Sequence, residues 1–540
     1  MMIDQAPRVL LVFPRFNPNS FWSFKDACEI WGAKCTAPPL GLITLAALLP
    51  QTWDMRLVNR NAEELADADL EWADLVLTGG MLPQQVDTLS LIARCKARGK
   101  PVAVGGPDIT SSPHVYAGAD FRVLGEAEGV IDEFVAAWER GERSGTFEAP
   151  KFQADVTKSP IPRFDLLNFK HYLFIGVQFS RGCPFTCEFC DIIELYGRVP
   201  RTKTDTQMLA ELDRLLELGH RGHVDFVDDN LIGNKKAVKA FLPKLKAWQE
   251  RNGYPFMFST EASLNLADDP ELLQMMRGAN FFAVFVGIES PDEQTLVEMR
   301  KKQNTKRSIA ESVHRINAAG MFVTAGFIVG FDTERKQVSG ALLACIADTN
   351  IPVAMVGLLT ALPNTQLTRR LAHEGRLHAG FDTLPPDVGD QCTAGLNFTT
   401  LRPRREVLAD YRRVLAEAYD PAAFFARVRK LARGLKRPLY GPAKITRRDL
   451  KLLARVAYRM TIQRPALARH FWPAFVDCAR TNPRALQVLV MNMVIFLHLW
   501  PFSRHVIREL DSRIAEIDAG RWQEPELVVA NDPLPAKAVA

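Results

Sequence analysis

Short apolar runs alternate with helical stretches along the first 160 residues. Arg8–Phe13 is a largely apolar run closed by Pro14, the pattern of a buried strand. Runs at 55–58, 75–78, 101–104 and 121–124 repeat it, and Gly79-Gly80, Gly105-Gly106-Pro107 and Gly125 stop the last three. Residues 39–49 read as a helix with proline near its first turn. Strands alternating with helices predict an α/β fold with a parallel, doubly wound sheet.

The alternation resumes after residue 160. One strand ends at Ser180, and 223–230 reads as another, with Asp228, Asp229 and Asn230 at its carboxyl end. Residues 255–261, 281–290 and 321–331 follow as a fourth, fifth and sixth strand, and 351–359 as one more. In a barrel of such strands the carboxyl rim is the active face. Beyond residue 400 the pattern is helical, at 406–419, 421–435, 447–463 and 484–500. The apolar run 485–502 contains Gln487, Asn492, His498 and Pro501, so it reads either as a buried helix or as a marginal bilayer span. Three domains are expected, at 1–160, 161–400 and 401–540.

Composition adds exclusions. A chain of 540 residues with 47% hydrophobic and 24% charged positions is neither disordered, collagen-like nor a polytopic membrane protein. The net charge of +5 is a cancellation. Residues 1–400 hold 41 basic and 49 acidic side chains, whereas 401–540 hold 26 and 13. Within 421–508, 18 basic residues are set against only Asp449 and Asp477. That balance suits peripheral contact with an anionic membrane surface. Nucleic acid is the rival partner of a basic face, but no recognition-helix or aromatic-interleaved motif accompanies the charge, and no nucleic acid is expected. The start, MMIDQAPRVLLVFPRF, has no basic region leading into a long apolar one. The chain is therefore expected in a reducing cytoplasm, where its nine cysteines are too few for a disulfide scaffold.

Three of those cysteines crowd one loop as Cys183, Cys187 and Cys190, spaced Cys-x3-Cys-x2-Cys just after a strand. Three thiolates can hold three irons of a [4Fe–4S] cluster and leave the fourth open to another ligand. Structural zinc is the alternative, but it takes four protein ligands, and the nearest upstream histidine, His171, is 12 residues away. A non-enzymatic metal- or RNA-binding protein would use the loop in that structural sense. The Gly-Gly pairs lie at a sheet's carboxyl edge, where ligands bind, and read either as tight turns or as a backbone left bare for a flat ligand. The basic loop Tyr196 to Lys203 reads either as solvated or as a holder of an anionic group.

The cysteine spacing, with Phe189 just before the last cysteine, resembles the signature of the radical S-adenosylmethionine family. The resemblance implies a partial (β/α)6 barrel. It also implies a cluster that cleaves S-adenosylmethionine to a hydrogen-abstracting radical, fed by an external electron donor. By the same resemblance Asp228, Asp229 and Asn230 meet the amino group of S-adenosylmethionine. Glu261 would face its ribose or carboxylate, Glu289 would stand at the barrel mouth, and Gly326 and Ile328 lie on the adenine-recognising strand Gly326-x-x-x-Gly330. The N-terminal segment resembles the cobalamin-binding domain found ahead of many such enzymes. Thr78, Gly79, Gly80 and Met81, then Gly105, Gly106 and Pro107, then Glu126 and Glu128 match its corrin-lining loops. The cobalt-ligating Asp-x-His-x-x-Gly of many cobalamin domains is replaced by Asn59-Arg60-Asn61-Ala62-Glu63-Glu64, which fits the methylating subgroup.

As a whole the chain resembles the cobalamin-dependent class B methylases, and within them the hopanoid C-2 methylase branch. Phe21-Trp22-Ser23-Phe24, Pro38 to Leu42, Thr78 to Gln85 and the loop 181–193 carry that likeness. It implies methyl transfer to an unactivated carbon of a hopanoid lipid. Oxidative cyclisation or methylation of a soluble metabolite is the alternative.

Overall fold

The computed structural model describes residues 6–385, 392, 393, 395–437, 440 and 447–528, without the side chains of Trp22, Arg448 and Asp449. The first sheet comprises β1 (Arg8–Phe13), β2 (Asp54–Asn59), β3 (Leu75–Gly79), β4 (Val102–Gly105), β5 (Phe121–Leu124) and β6 (Gly145–Glu148). Its order is β2-β1-β3-β4-β5-β6, and every pairing is parallel. Val9, Leu10, Leu11 and Val12 are each fully buried because helices cover both faces, which is why β1 reads as a continuous apolar run rather than an alternating one. Strand β6 is the exception. Its Gly-Thr-Phe-Glu lies on the sheet edge with alternate residues exposed and has no apolar run to announce it.

The second sheet opens with β7 (Ile175–Val177), and a two-residue ladder of β8 (Ser180–Arg181) with β9 (Arg201–Thr202) follows outside it. It continues through β10 (Gly222–Phe226), β11 (Phe256–Glu261), β12 (Phe281–Glu289), β13 (Phe322–Val329) and β14 (Ala354–Leu358). The order β14-β13-β12-β11-β10-β7 is sequential and parallel, a six-stranded partial barrel. The strands expected as fourth, fifth and sixth are the third, fourth and fifth of the barrel. The sixth is β14, because β9 pairs with β8 outside it. Alternation decides the lining: Val224, Phe226, Phe256 and Phe258 pack outward, while His223, Asp225, Ser259, Glu261 and Gly326 face the lumen.

The C-terminal part is helical: Arg404–Ala418, Pro421–Gly434, Arg447–Tyr458 running into a π-turn at Arg459–Gln463, Pro465–Thr481 and Leu486–Asp518. The helix Pro465–Thr481 was not expected; Pro465 and Pro473 disguise it, although proline is tolerated in a first turn. The stretch Pro483–Asp518 is long and apolar enough to cross a membrane, yet 56% of its apolar window is buried inside the protein. It packs on Arg404–Ala418, Pro465–Thr481 and the N-terminal helix Lys25–Trp31. Asn492 is fully buried and donates to the Val488 carbonyl at 2.8 Å. These contacts make it the core helix of this region.

Candidate active site

The cysteine loop follows β8, and residues just beyond β10, the neighbour of β7, hold it. Asp228, 1% exposed, accepts hydrogen bonds from the backbone N–H of Phe179 at 3.0 Å and from the N–H and hydroxyl of Ser180. Asp229 accepts from the Gly182 N–H at 2.8 Å. Asn230 donates toward the Cys183 sulfur at 3.9 Å and accepts from the Ser263 N–H at 3.1 Å. These three residues were expected on the amino group of S-adenosylmethionine. In the structure they turn toward the loop, and the Asp228 carboxylate is engaged by its backbone and hydroxyl donors. Burial raises Asp228 to about 7 and Asp229 to about 6.

The loop is closed from the other side as well. Gln303 donates to the Cys187 sulfur at 3.6 Å, and the Glu188 N–H bonds the Met299 carbonyl at 3.0 Å. Glu188 pairs with Arg370 at 2.6 Å. Gly182 has φ of 92°, and a Cβ there would press on the Tyr196, Gly197 and Val199 carbonyls. Burial, then Asp191, then the neighbouring Cys187 and Cys183 push the Cys190 thiol well above its ordinary value. Among the described residues, no three His, Cys, Asp or Glu side chains are grouped to grip a single metal ion. Three thiolates that each bind a different iron of a cluster stand further apart than the ligands of one ion. Amide N–H groups aimed at two of the sulfurs suit that donor set.

The lumen below the loop is rich in carboxyls. Ser259 donates to Asp225, and its oxygen lies 2.6 Å from His223 Nε2. Burial lowers His223 to about 3, so its ring is neutral, and raises Asp225 to about 6. Glu261 carries a buried oxygen, Oε2, with no hydrogen-bond partner. Burial, and after it Asp225 and Asp228, hold its carboxyl far above the usual range. A cationic ligand would relieve this stack of acids, which is the property expected of a pocket for a sulfonium bearing an ammonium group. Gly326 faces the same space, where a Cβ would approach Phe285 at 3.2 Å, and Ile328 is half-buried on the same strand. Gly330 is otherwise engaged: its N–H is capped by Glu334 at 2.9 Å.

At the mouth, Glu289 forms a buried ion pair with Lys301 at 2.6 Å. Burial alone would lower the Lys301 ammonium; the Glu289 charge overrides it and raises it. Glu289 sits at φ 66°, at a register shift in the β12–β13 ladder, a strained position for a side chain other than glycine. Lys301 also lies 5.7 Å from the centre of the Phe189 ring. Lys301 and Gln303 carry no signal in the sequence. They belong to a charged run, Arg300-Lys301-Lys302-Gln303-Asn304, that looks like a solvated turn.

The carboxyl edge of the first sheet faces this mouth. Glu126 and Glu128, beyond β5, meet Arg181 at 3.2 and 2.7 Å, and Glu126 meets Arg201 at 2.8 Å. Asn364, beyond β14, donates to the Ser111 carbonyl at 2.9 Å, and His114 pairs with Asp382 at 2.9 Å. Neither reading of the basic loop describes Arg201 and Lys203. Arg201 joins the seam, and Lys203 forms a buried pair with Glu211 at 2.5 Å. Of the residues expected to line a corrin, Glu126 and Glu128 are thus taken up in the seam. Thr78 is buried and donates to the Val12 carbonyl at 2.8 Å. A Cβ on Gly79 would overlap the Gly105 carbonyl, and one on Gly106 would stand 3.3 Å from the Gly80 nitrogen, so the two glycine turns pack on each other. Pro107 starts the short helix Pro107–Ser111, and Met81 is 48% exposed beside these turns. The resulting edge is bare backbone with little polar side chain, a surface that suits a broad flat ligand. The turn Asn59 to Glu64 is tied internally, Asn59 to the Tyr172 hydroxyl at 3.4 Å and Arg60 to Asp87 at 3.0 Å. It offers no histidine to such a ligand.

Comparison with known proteins gives the following. A family model described as the radical SAM superfamily matches residues 177–338, and one described as a domain of unknown function (DUF4070) matches 365–512. An uncharacterised methyltransferase of Synechocystis is 43% identical over 96% of both chains. The hopanoid C-2 methylase of Rhodopseudomonas palustris is 39% identical over 78% of both. Among solved structures, the cobalamin-dependent S-adenosylmethionine radical enzyme OxsB superposes with a TM-score of 0.58 at 14% identity, covering 96% of this chain and 82% of that one. The radical S-adenosylmethionine methyltransferase TsrM of Kitasatospora setae gives 0.57 at 16% identity, covering 76% and 85%.

Proposed function

The chain belongs to the radical S-adenosylmethionine methyltransferase family, and from that premise we propose that it transfers a methyl group to an unactivated carbon of a hopanoid lipid, at C-2. The observation that carries the reading is the apposition of two ligand-binding edges, the glycine edge of the first sheet and the rim of the barrel, joined by the Glu126–Arg181–Glu128 seam. A substrate between them meets a group held on either side. The 39% identity to a hopanoid C-2 methylase supports the substrate class.

Cys183, Cys187 and Cys190 would hold the [4Fe–4S] cluster. Asp225, Asp229 and Glu261 would supply negative charge to S-adenosylmethionine, and Gly326 and Ile328 an apolar wall. Gly79, Gly80, Gly105, Gly106 and Met81 would underlie cobalamin, with no histidine beneath it. Bound together, these cofactors supply a hydrogen-abstracting radical and a transferable methyl group. The chain's own work is to orient and to exclude. Asp228 fixes the loop, and the seam fixes the distance between the edges. A lipid substrate also accounts for a basic C-terminal region at a membrane surface.

Expression in a hopanoid-producing host that lacks C-2 methylation tests this. We expect hopanoids heavier by one methylene, with the added methyl on ring A. Unaltered hopanoids in cells where the purified chain cleaves S-adenosylmethionine would remove the substrate assignment.

A further inference from the structure

The π-turn at Arg459–Gln463 joins two helices, Arg447–Tyr458 and Pro465–Thr481, into a bent hairpin segment whose inner side packs on Leu486–Asp518. Val456, Met460, Leu467, Phe471 and Ala474 are all buried. Its outer side is unusual. Leu450 is 57% exposed, Tyr458 53%, Ile462 65%, Trp472 42% and Val476 39%. Five of the twelve exposed large hydrophobic residues of the described chain thus fall within 450–476. They share a face. Leu450 and Tyr458 lie eight residues apart on one helical stripe, and Ile462 follows through the π-turn. The Trp472 indole N–H donates to Thr461 Oγ1 at 3.1 Å, which sets Trp472 beside Ile462, and Val476 is one turn further on.

Positive charge predominates around this face, and Glu29, beside Tyr458, is spent on Arg459 at 2.7 Å. Lys451, Arg469 and Arg480 are exposed and make no ion pair with another described residue. Asp477, the described acid of the hairpin, is consumed by Arg433 at 2.7 Å and Arg429 at 3.6 Å. Part of the remaining basic excess is already taken up, inside the protein or in surface pairs. Arg427 is buried and bonds the Ile351 and Ala418 carbonyls, and Arg405 and Arg412 pair with Asp518 and Asp511. Lys451, Arg469 and Arg480 thus adjoin the apolar stripe, while Lys430, Arg484, Arg504 and Arg508 add exposed positive charge elsewhere in the region.

We infer that this hairpin face is the membrane-docking surface, lying in the headgroup region of a bilayer that contains anionic phospholipid. Exposed Trp and Tyr suit the interface, aliphatic side chains enter the acyl boundary, and unpaired ammonium and guanidinium groups meet phosphate. A nucleic acid would satisfy the charges and leave the apolar stripe in water. The surface gives the lipid-substrate reading its location and draws its purpose from that reading. Its test requires no turnover, so the two fail separately.

The full-length protein is mixed with sedimentable vesicles of phosphatidylcholine alone or with phosphatidylglycerol. We expect binding to the mixed vesicles, weakened by salt. Ile462→Ser combined with Trp472→Ser should lose it at any salt concentration. Lys451→Glu, Arg469→Glu and Arg480→Glu together should lower partitioning by roughly a hundredfold or more. An unchanged melting temperature and unchanged S-adenosylmethionine cleavage would show that both variants are folded. Undiminished binding by both, no binding by the unaltered chain, or binding of duplex DNA in preference to vesicles through the same residues would overturn the assignment.

Discussion

Asp228 shows how far a single residue's part can differ from its place in a motif. Its position at the end of β10 suggests a ligand contact; its hydrogen bonds make it the brace of the cysteine loop. Asp228→Asn keeps the shape but turns an NH2 toward groups that already donate. We expect the variant to keep its far-UV circular dichroism and to take up several-fold less iron on anaerobic reconstitution. Iron uptake equal to that of the unaltered chain would contradict the bracing role. The three cysteines and Glu261 could be singled out in the sequence as candidates because thiol spacing and strand ends are local features. Lys301 and Gln303 were not, since what distinguishes them is a fold-made contact with Glu289 and Cys187 across a turn that looks solvated.

At the level of elements, the apolar-run strands of the first sheet were found within a residue or two, because burial on both faces leaves a strand no polar position, whereas β10 ends four residues short of the expected 223–230 and β14 starts three residues into 351–359. β6 escaped as an edge strand, and the helix Pro465–Thr481 was masked by its prolines. The seam between the two edges was invisible for another reason: Glu126 and Glu128 look like ligand residues until Arg181 and Arg201 are brought to them from the far side of the barrel entrance. Burial alone would raise the Glu128 carboxyl, but the Arg181 hydrogen bonds and charge hold it down at about 2. A depressed carboxylate stabilises the fold above its unfolded value near 4.5, and that contribution fades as pH falls from there toward 2. Glu128→Gln should therefore cost about 3 kcal/mol at pH 7 and progressively less on acidification through this window. Thermal unfolding of both proteins across pH checks it; a penalty constant down to pH 2 would show that the charge is not what matters.

On the scale of the whole molecule, the modest +5 of the chain resolves into parts with separate duties. The acidic excess of residues 1–400 includes the carboxyls of the barrel lumen, and the basic excess beyond 400 includes the buried Arg427, surface pairs and exposed unpaired charges. The central claim is that the two edges act on one substrate from opposite sides. Its most direct test is a single anaerobic turnover experiment with reconstituted protein, cobalamin, a strong reductant, a hopanoid in micelles and S-adenosylmethionine carrying a CD3 group. The account predicts a hopanoid that has gained an intact CD3, with 5′-deoxyadenosine and S-adenosylhomocysteine formed in equal amounts. A hopanoid that stays unlabelled while 5′-deoxyadenosine accumulates, or label that arrives without any 5′-deoxyadenosine, would contradict it.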